Sequence, residues 1–314
     1  MELNTQIASN IRKTWLLFVI FLIVIIGLGW FLSYYLGNRS ILFGAVIFSF
    51  FMSFISYWYS DKIVLAISKA KPLKKEESPG IYRIVEKLCA IANLPVPKIY
   101  VVQEAAPNAF ATGRNPKKAI IAVTTGLLET LSGSELEGVI SHELSHIGNR
   151  DILLQTVVVM LVGSAVMLSD LFLRRMMWDG LSRRDNREGT GDLRAVMLIV
   201  ALIAVILSPL IAKLIQLAIS RKREFLADAS GVLLTHRPKE LAGALEKISQ
   251  NQTPLKIANK ATAHLFIASP FKGQQAKGLL VRLFFNSSAS RGKGKKIAWY
   301  EHLICFVQTA KIKI

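Results

Sequence analysis

His142-Glu143-Leu144-Ser145-His146 reads H-E-x-x-H, and its surroundings place it on a helix. At 3.6 residues per turn, positions i and i+4 share one face, so both imidazoles can point at a single ion. Glu143, next to the first histidine, can then reach a water held by that ion. Two imidazoles, an open coordination position and a carboxylate base are the parts of a zinc-dependent hydrolase. Upstream, Ser134-Glu135-Leu136-Glu137 matches a capping box, with Ser134 as N-cap and Glu137 at the third helical position. Leu136, Val139, Ile140, Leu144 and Ile147 follow as an apolar stripe at helical spacing. The chain has 5 histidines in 314 residues, so a chance pair bracketing a glutamate is rare. The plain alternative is two surface histidines on an amphipathic helix.

Working outward, the hydrophobic fraction is 52% and the mean hydropathy +0.40, unusual for a water-soluble domain. Residues 14–36 and 40–60 carry no charge. At about 1.5 Å per residue each can cross a hydrocarbon core of about 30 Å. The first run is too long for a cleaved signal peptide, and no small-residue cleavage site follows it. Residues 152–173 are apolar except for Asp170, and residues 195–219 except for Lys213, with Pro209 inside. These are two further spans, or buried helices of a soluble domain.

Lysine and arginine number 39 against 21 acids, a net charge of +18. Nucleic acid is one partner for such a balance. The positions favour a bilayer instead, because Arg12, Lys13, Lys62, Lys69, Lys71, Lys74, Lys75, Arg221, Lys222 and Arg223 flank the apolar runs. Basic residues at span ends mark the cytoplasmic side and meet anionic headgroups. Arginines 174, 175, 183, 184, 187 and 194 between the third and fourth runs work against that rule, and a re-entrant hairpin would remove the conflict. Cys89 and Cys305 are the only cysteines, so neither a disulfide framework nor a thiolate metal site is expected.

Between the second run and the motif, residues 81–92 have helical periodicity, ended by Pro95 and Pro97. Residues 98–102 and 119–124 read as short strands rich in Val and Ile, joined by a loop marked by Asn108, Gly113, Asn115 and Pro116. An extended substrate is expected to pair with an edge strand, for which residues 119–124 around Ala122 are the candidate. Asn108 either contacts the substrate backbone or caps its own loop. The motif helix is expected to run almost directly into the third apolar run.

A catalytic zinc needs a third protein ligand. Arg223-Glu224-Phe225-Leu226-Ala227-Asp228 returns to the motif's side if the third and fourth runs form a hairpin. Glu224 can then bind the ion, and Asp228, one turn on, can hold an imidazole N–H. Alone, E-x-x-x-D is equally a solvated helix face. H-E-L-S-H, two apolar segments and R-E-F-L-A-D in this order resemble the HtpX group of membrane zinc endopeptidases, which are related to the CaaX prenyl endoprotease. The resemblance extends to residues 107–113 (P-N-A-F-A-T-G), 122–128 (A-V-T-T-G-L-L) and 263–267 (A-H-L-F-I), and covers the chain to about Phe284. It implies His142, His146 and Glu224 as ligands of one Zn2+ per subunit and Glu143 as catalytic base and acid. It also implies an inner-membrane enzyme with a cytoplasmic active site that acts in quality control of membrane proteins.

The expected fold is a mainly α membrane protein with about four transmembrane or membrane-embedded helices and a cytoplasmic α+β, gluzincin-like protease part. Its divisions are an N-terminal hairpin at 1–61, a catalytic part at 62–151, a second hydrophobic hairpin at 152–219, a part carrying Glu224 at 220–284 and an atypical basic tail at 285–314. Protein substrates and the bilayer are the expected partners, with no nucleic acid. A metal transporter would need its ligands inside the spans. A catalytically dead scaffold is opposed by the intact motif residues. His264 reads as a structural hydrogen-bonding residue, and His236 and His302 as surface residues.

The resemblance stops abruptly at Phe284, where HtpX-like chains continue L-F-S-x-H-P-P-x-E-E-R-I-x-R-L. Residues 285–301 back-translate into synonymous codons that, moved by one base, read S-I-H-P-P-A-E-E-R-V-K-R-L-R-G-M. A tail displaced by a single extra T in the two Phe codons is the expectation; a genuine basic tail at the membrane surface is the alternative.

Overall fold

A computed structural model describes residues 3–35, 37–164, 221–251, 253 and 267. Two long apolar helices come first, α1 (Leu3–Tyr35) and α2 (Ser40–Trp58). They fold back on each other at Gly37, whose φ is +63°, and at Asn38, whose Oδ1 accepts the Ser40 N–H. Both are long and apolar enough to cross a membrane. Trp15, Leu16, Val19, Ile23, Phe43, Ile47 and Phe50 remain exposed on them, an apolar surface suited to lipid.

After α3 (Ser60–Ile67) the chain builds a small mixed sheet with α4 (Pro79–Ala92) beside it. The strands are β1 (Lys71–Pro72), β2 (Lys98–Val102), β3 (Ala109–Thr112) and β4 (Ile120–Thr124), in spatial order β1-β2-β4-β3. β2 and β4 are parallel, and both outer pairings are antiparallel. α4 begins at Pro79, which has no N–H to lose in a first turn, and ends at the left-handed Asn93 rather than at the prolines beyond. The short helix α5 (Thr125–Thr130) leads into α6 (Gly133–Gly148), which carries the H-E-x-x-H motif.

The capping box of α6 is set two residues earlier than expected. Ser132 is the N-cap, and its N–H and Oγ–H both donate to Glu135 Oε2, at 2.8 and 2.9 Å. Ser134 is not the cap, because Glu137 pairs instead with Lys87 at 2.6 Å. The passage to α7 (Asp151–Ser164) is also not direct. The two helix axes meet at 82°, with Arg150 in a left-handed conformation at φ +59°.

α8 (Arg221–Thr235) and α9 (Pro238–Gln250) pack on α6. One core lies between the sheet, α4 and α6, and includes Val85, Leu88, Ile121, Val139, Ile140 and Leu144. A second joins Leu17, Phe18, Phe21 and Ile25 of α1 to Leu154, Val158, Leu161 and Val162 of α7. The last part of the expected third span, residues 165–173 with Asp170, the arginine-rich loop, the fourth apolar run, His264, His302 and the tail lie outside the described residues.

Candidate metal centre

Helix α6 turns both motif histidines toward α8. Gly231 of α8 allows the close approach: a Cβ there would lie 3.1 Å from His142 N and from Ser141 Oγ. Crossing at that point brings Glu224 and Asp228 over the imidazoles. Glu224 Oε2 is 3.7 Å from Nε2 of His142 and 3.7 Å from Nε2 of His146, and the two Nε2 atoms are 3.2 Å apart. Ligand atoms about 2.0–2.1 Å from a tetrahedral ion lie roughly 3.3 Å from one another. The three atoms form a set that could hold a metal ion, and the other side of Glu224 stays open, its side chain 40% exposed.

Each imidazole is backed by its own carboxylate. His142 Nδ1 is 2.9 Å from Asp228 Oδ1, and His146 Nδ1 is 3.0 Å from Asp151 Oδ2. Such partners hold the proton on Nδ1 and leave Nε2 for the ion. Asp228 stands one helical turn on from Glu224. Asp151 had no place in the sequence reading; the left-handed turn at Arg150 swings it back beside His146.

Burial opposes a charged imidazolium at His146, but Glu224, Asp151 and Glu143 around it outweigh that and push its pKa up to about 9. His142 is raised as well: burial opposes the charge, and Asp228 overcomes it. Burial lifts Asp228 above the usual carboxylate range, with His142 opposing. Glu143 is buried too, and burial lifts its pKa against the pull of the two histidines, while the Ala111 N–H donates to it.

The strand expected to offer a free edge does not. β4 is paired on both sides, with Ala122 fully buried opposite Tyr100 and Phe110. The sheet edge facing the motif is β3, which lies inside the expected loop. Asn108 sits buried at its start, its Oδ1 accepting from the Ala109 N–H and its backbone paired with Thr124. His236 is exposed, as expected, and ends α8 in a left-handed conformation.

The family model for peptidase family M48 matches residues 75–287, from just after β1 to past α9. The chain belongs to peptidase family M48. Among its M48 relatives, the protease HtpX homolog of Caldanaerobacter subterraneus subsp. tengcongensis is 45% identical over 84% of this chain and 88% of its own. That of Thermococcus sibiricus is 47% identical over 82% and 88%, and that of Streptococcus gordonii 41% identical over 89% and 94%. This M48 protein is an HtpX-type metalloprotease, and its apolar helices suit a membrane.

Proposed function

We propose that this protease is a zinc endopeptidase of the cytoplasmic membrane, holding one Zn2+ per subunit, with its active site facing the cytoplasm and misfolded membrane proteins as substrates. The reading rests above all on one observation: two imidazole nitrogens and a carboxylate oxygen converge at 3.2–3.7 Å, and each imidazole has a carboxylate behind it. Nitrogen and oxygen donors in a set of three with one side open suit catalytic zinc. His142, His146 and Glu224 would be the ligands, and Asp228 and Asp151 would hold the imidazoles in orientation. The divisions at 1–61, 62–151, 152–219 and 220–284 then alternate between bilayer and catalytic parts.

Zinc held there supplies a Lewis acid that polarises the scissile carbonyl and activates water. Glu143 takes a proton from the attacking water and delivers it to the leaving amine. Its pKa, raised by burial, makes it a stronger base toward that water than an exposed carboxylate. An extended substrate lies along the outer edge of β3, starting at Asn108, and takes the place of the long 3.4 Å contact between Ile267 N–H and Ala109 O.

Glu143→Gln is expected to keep the metal and lose at least about 10²-fold in casein cleavage, the scale of a lost general base. Glu224→Ala is expected to lose metal and activity together. Metal analysis and cleavage assays on both variants, with and without chelator, test the assignment. Near-normal cleavage by metal-loaded Glu143→Gln removes Glu143 from the mechanism, and full occupancy in Glu224→Ala removes Glu224 from the ligand set.

A further inference from the structure

The carboxylate behind His146 does not stand alone. Asp151 is fully buried, with Oδ2 on His146 Nδ1, and its other oxygen receives a hydrogen bond from the far N-terminal end of the chain. Asn10 of α1, 1% exposed, places Nδ2 2.5 Å from Asp151 Oδ1 and 3.1 Å from the carbonyl oxygen of Asn149. Both neighbours are acceptors, so the NH2 end of the amide must face them. The amide therefore ties together the carboxylate and the turn that delivers it. Buried Arg223 also interacts electrostatically with Asp151.

Aspartate χ2 is a soft torsion, so a carboxylate held at one oxygen alone swings. A second bond from a rigid neighbour removes that freedom. α1 is such a neighbour, because its apolar face packs along α7 from Leu17 to Ile25. Thr14 Oγ donates to the Asn10 carbonyl at 2.9 Å, within the same helix.

We propose that Asn10 is a positioning residue of the metal centre: by bonding Asp151 it fixes the carboxylate that orients His146, making the first apolar helix part of the metal site. The inference rests on His146 being a metal ligand, as proposed above.

The test is metal affinity of the full-length protein in detergent, measured by chelator competition, together with the visible spectrum of the Co2+-loaded form. Asp151→Ala, which removes the direct partner, is expected to weaken affinity about 10- to 100-fold. Asn10→Ala acts one bond further out, and roughly a 5-fold loss with a shifted Co2+ band is expected. Asn10→Asp has nearly the same shape but sets two carboxylates together, so it is expected to be worse than alanine. A packing role alone predicts the reverse order. Ser33→Ala, buried toward the far end of the same helix, is expected to leave affinity within about twofold and the Co2+ band in place.

If Asn10→Asp does not fold, Asn10→Ala decides: affinity within twofold of the parent and an unmoved Co2+ band overturn the proposal. An aspartate variant milder than alanine overturns it as well. His146→Ala separates this failure from that of the ligand assignment: full metal binding by that variant sinks the assignment, whereas its loss beside an unaffected Asn10→Ala sinks only the role of Asn10.

Discussion

Metal ions compete with protons for imidazole nitrogens. With its pKa near 9, His146 is protonated at pH 7 in the metal-free protein, and an incoming ion must displace that proton. Apparent metal affinity is therefore expected to rise at least about tenfold per pH unit up to pH 9, and more steeply where His142, also raised, must lose its proton too. Chelator competition between pH 6 and 9, with calorimetry in two buffers to count released protons, checks this. An imidazole at its ordinary 6.5 would give a plateau above pH 7, and such a plateau would contradict the carboxylate cage drawn around His146. The placement of His142, Glu143 and His146 on one helix could be read directly because i and i+4 spacing is local geometry. Asp151 could not, because its role depends on a left-handed turn at an arginine, a conformation that residue type does not announce.

At the scale of elements, the start of α6 shows how two similar signals compete. Ser132 and Ser134 each stand three residues before a glutamate. Tertiary partners choose between them: Lys87 and Arg237 draw Glu137 away, while Glu135 serves both Ser132 and Lys247. Ser132→Ala is expected to cost about 1 kcal/mol of stability, and Ser134→Ala close to nothing, measured by thermal unfolding in detergent. Equal effects would mean that the cap is shared. α4, β2 and β4 were legible from periodicity and β-branched content, and each appears within two residues of its expected bounds. β3 was not legible: Ala109–Thr112 is buried at every position, so no alternation marks it, and Asn108 and Gly113 on either side read as a loop. Strand order is likewise a property of the whole sheet, so the residues of β4 alone do not reveal its central place.

Across the whole molecule, the metal set joins residues that precede and follow two apolar runs. His142 and Glu224 can meet only if an even number of crossings separates them. Reporter fusions at Lys75 and after Asp228 are expected to report the same, cytoplasmic side, and opposite sides would break the site as assembled. The tail makes a separate prediction. The family match ends at residue 287, close to the Phe284 boundary at which the motif resemblance stops. Resequencing the gene across the Phe284–Phe285 codons is expected to reveal a neighbouring frame encoding H-P-P-x-E-E-R. Codons unable to encode it would establish the basic tail as genuine.

The distribution of the proposed ligands along the chain also sets a timetable. His142, His146 and Asp151 leave the ribosome almost together, whereas Glu224 and Asp228 follow only after the intervening apolar runs. At synthesis rates of about 5–20 residues per second, that delay amounts to several seconds. On that assignment, a nascent chain would carry Glu143 and both imidazoles before its metal site is complete. The proposed ligand set would be complete only once α8 has been made, so proteolysis would wait on the completion of the chain's own synthesis.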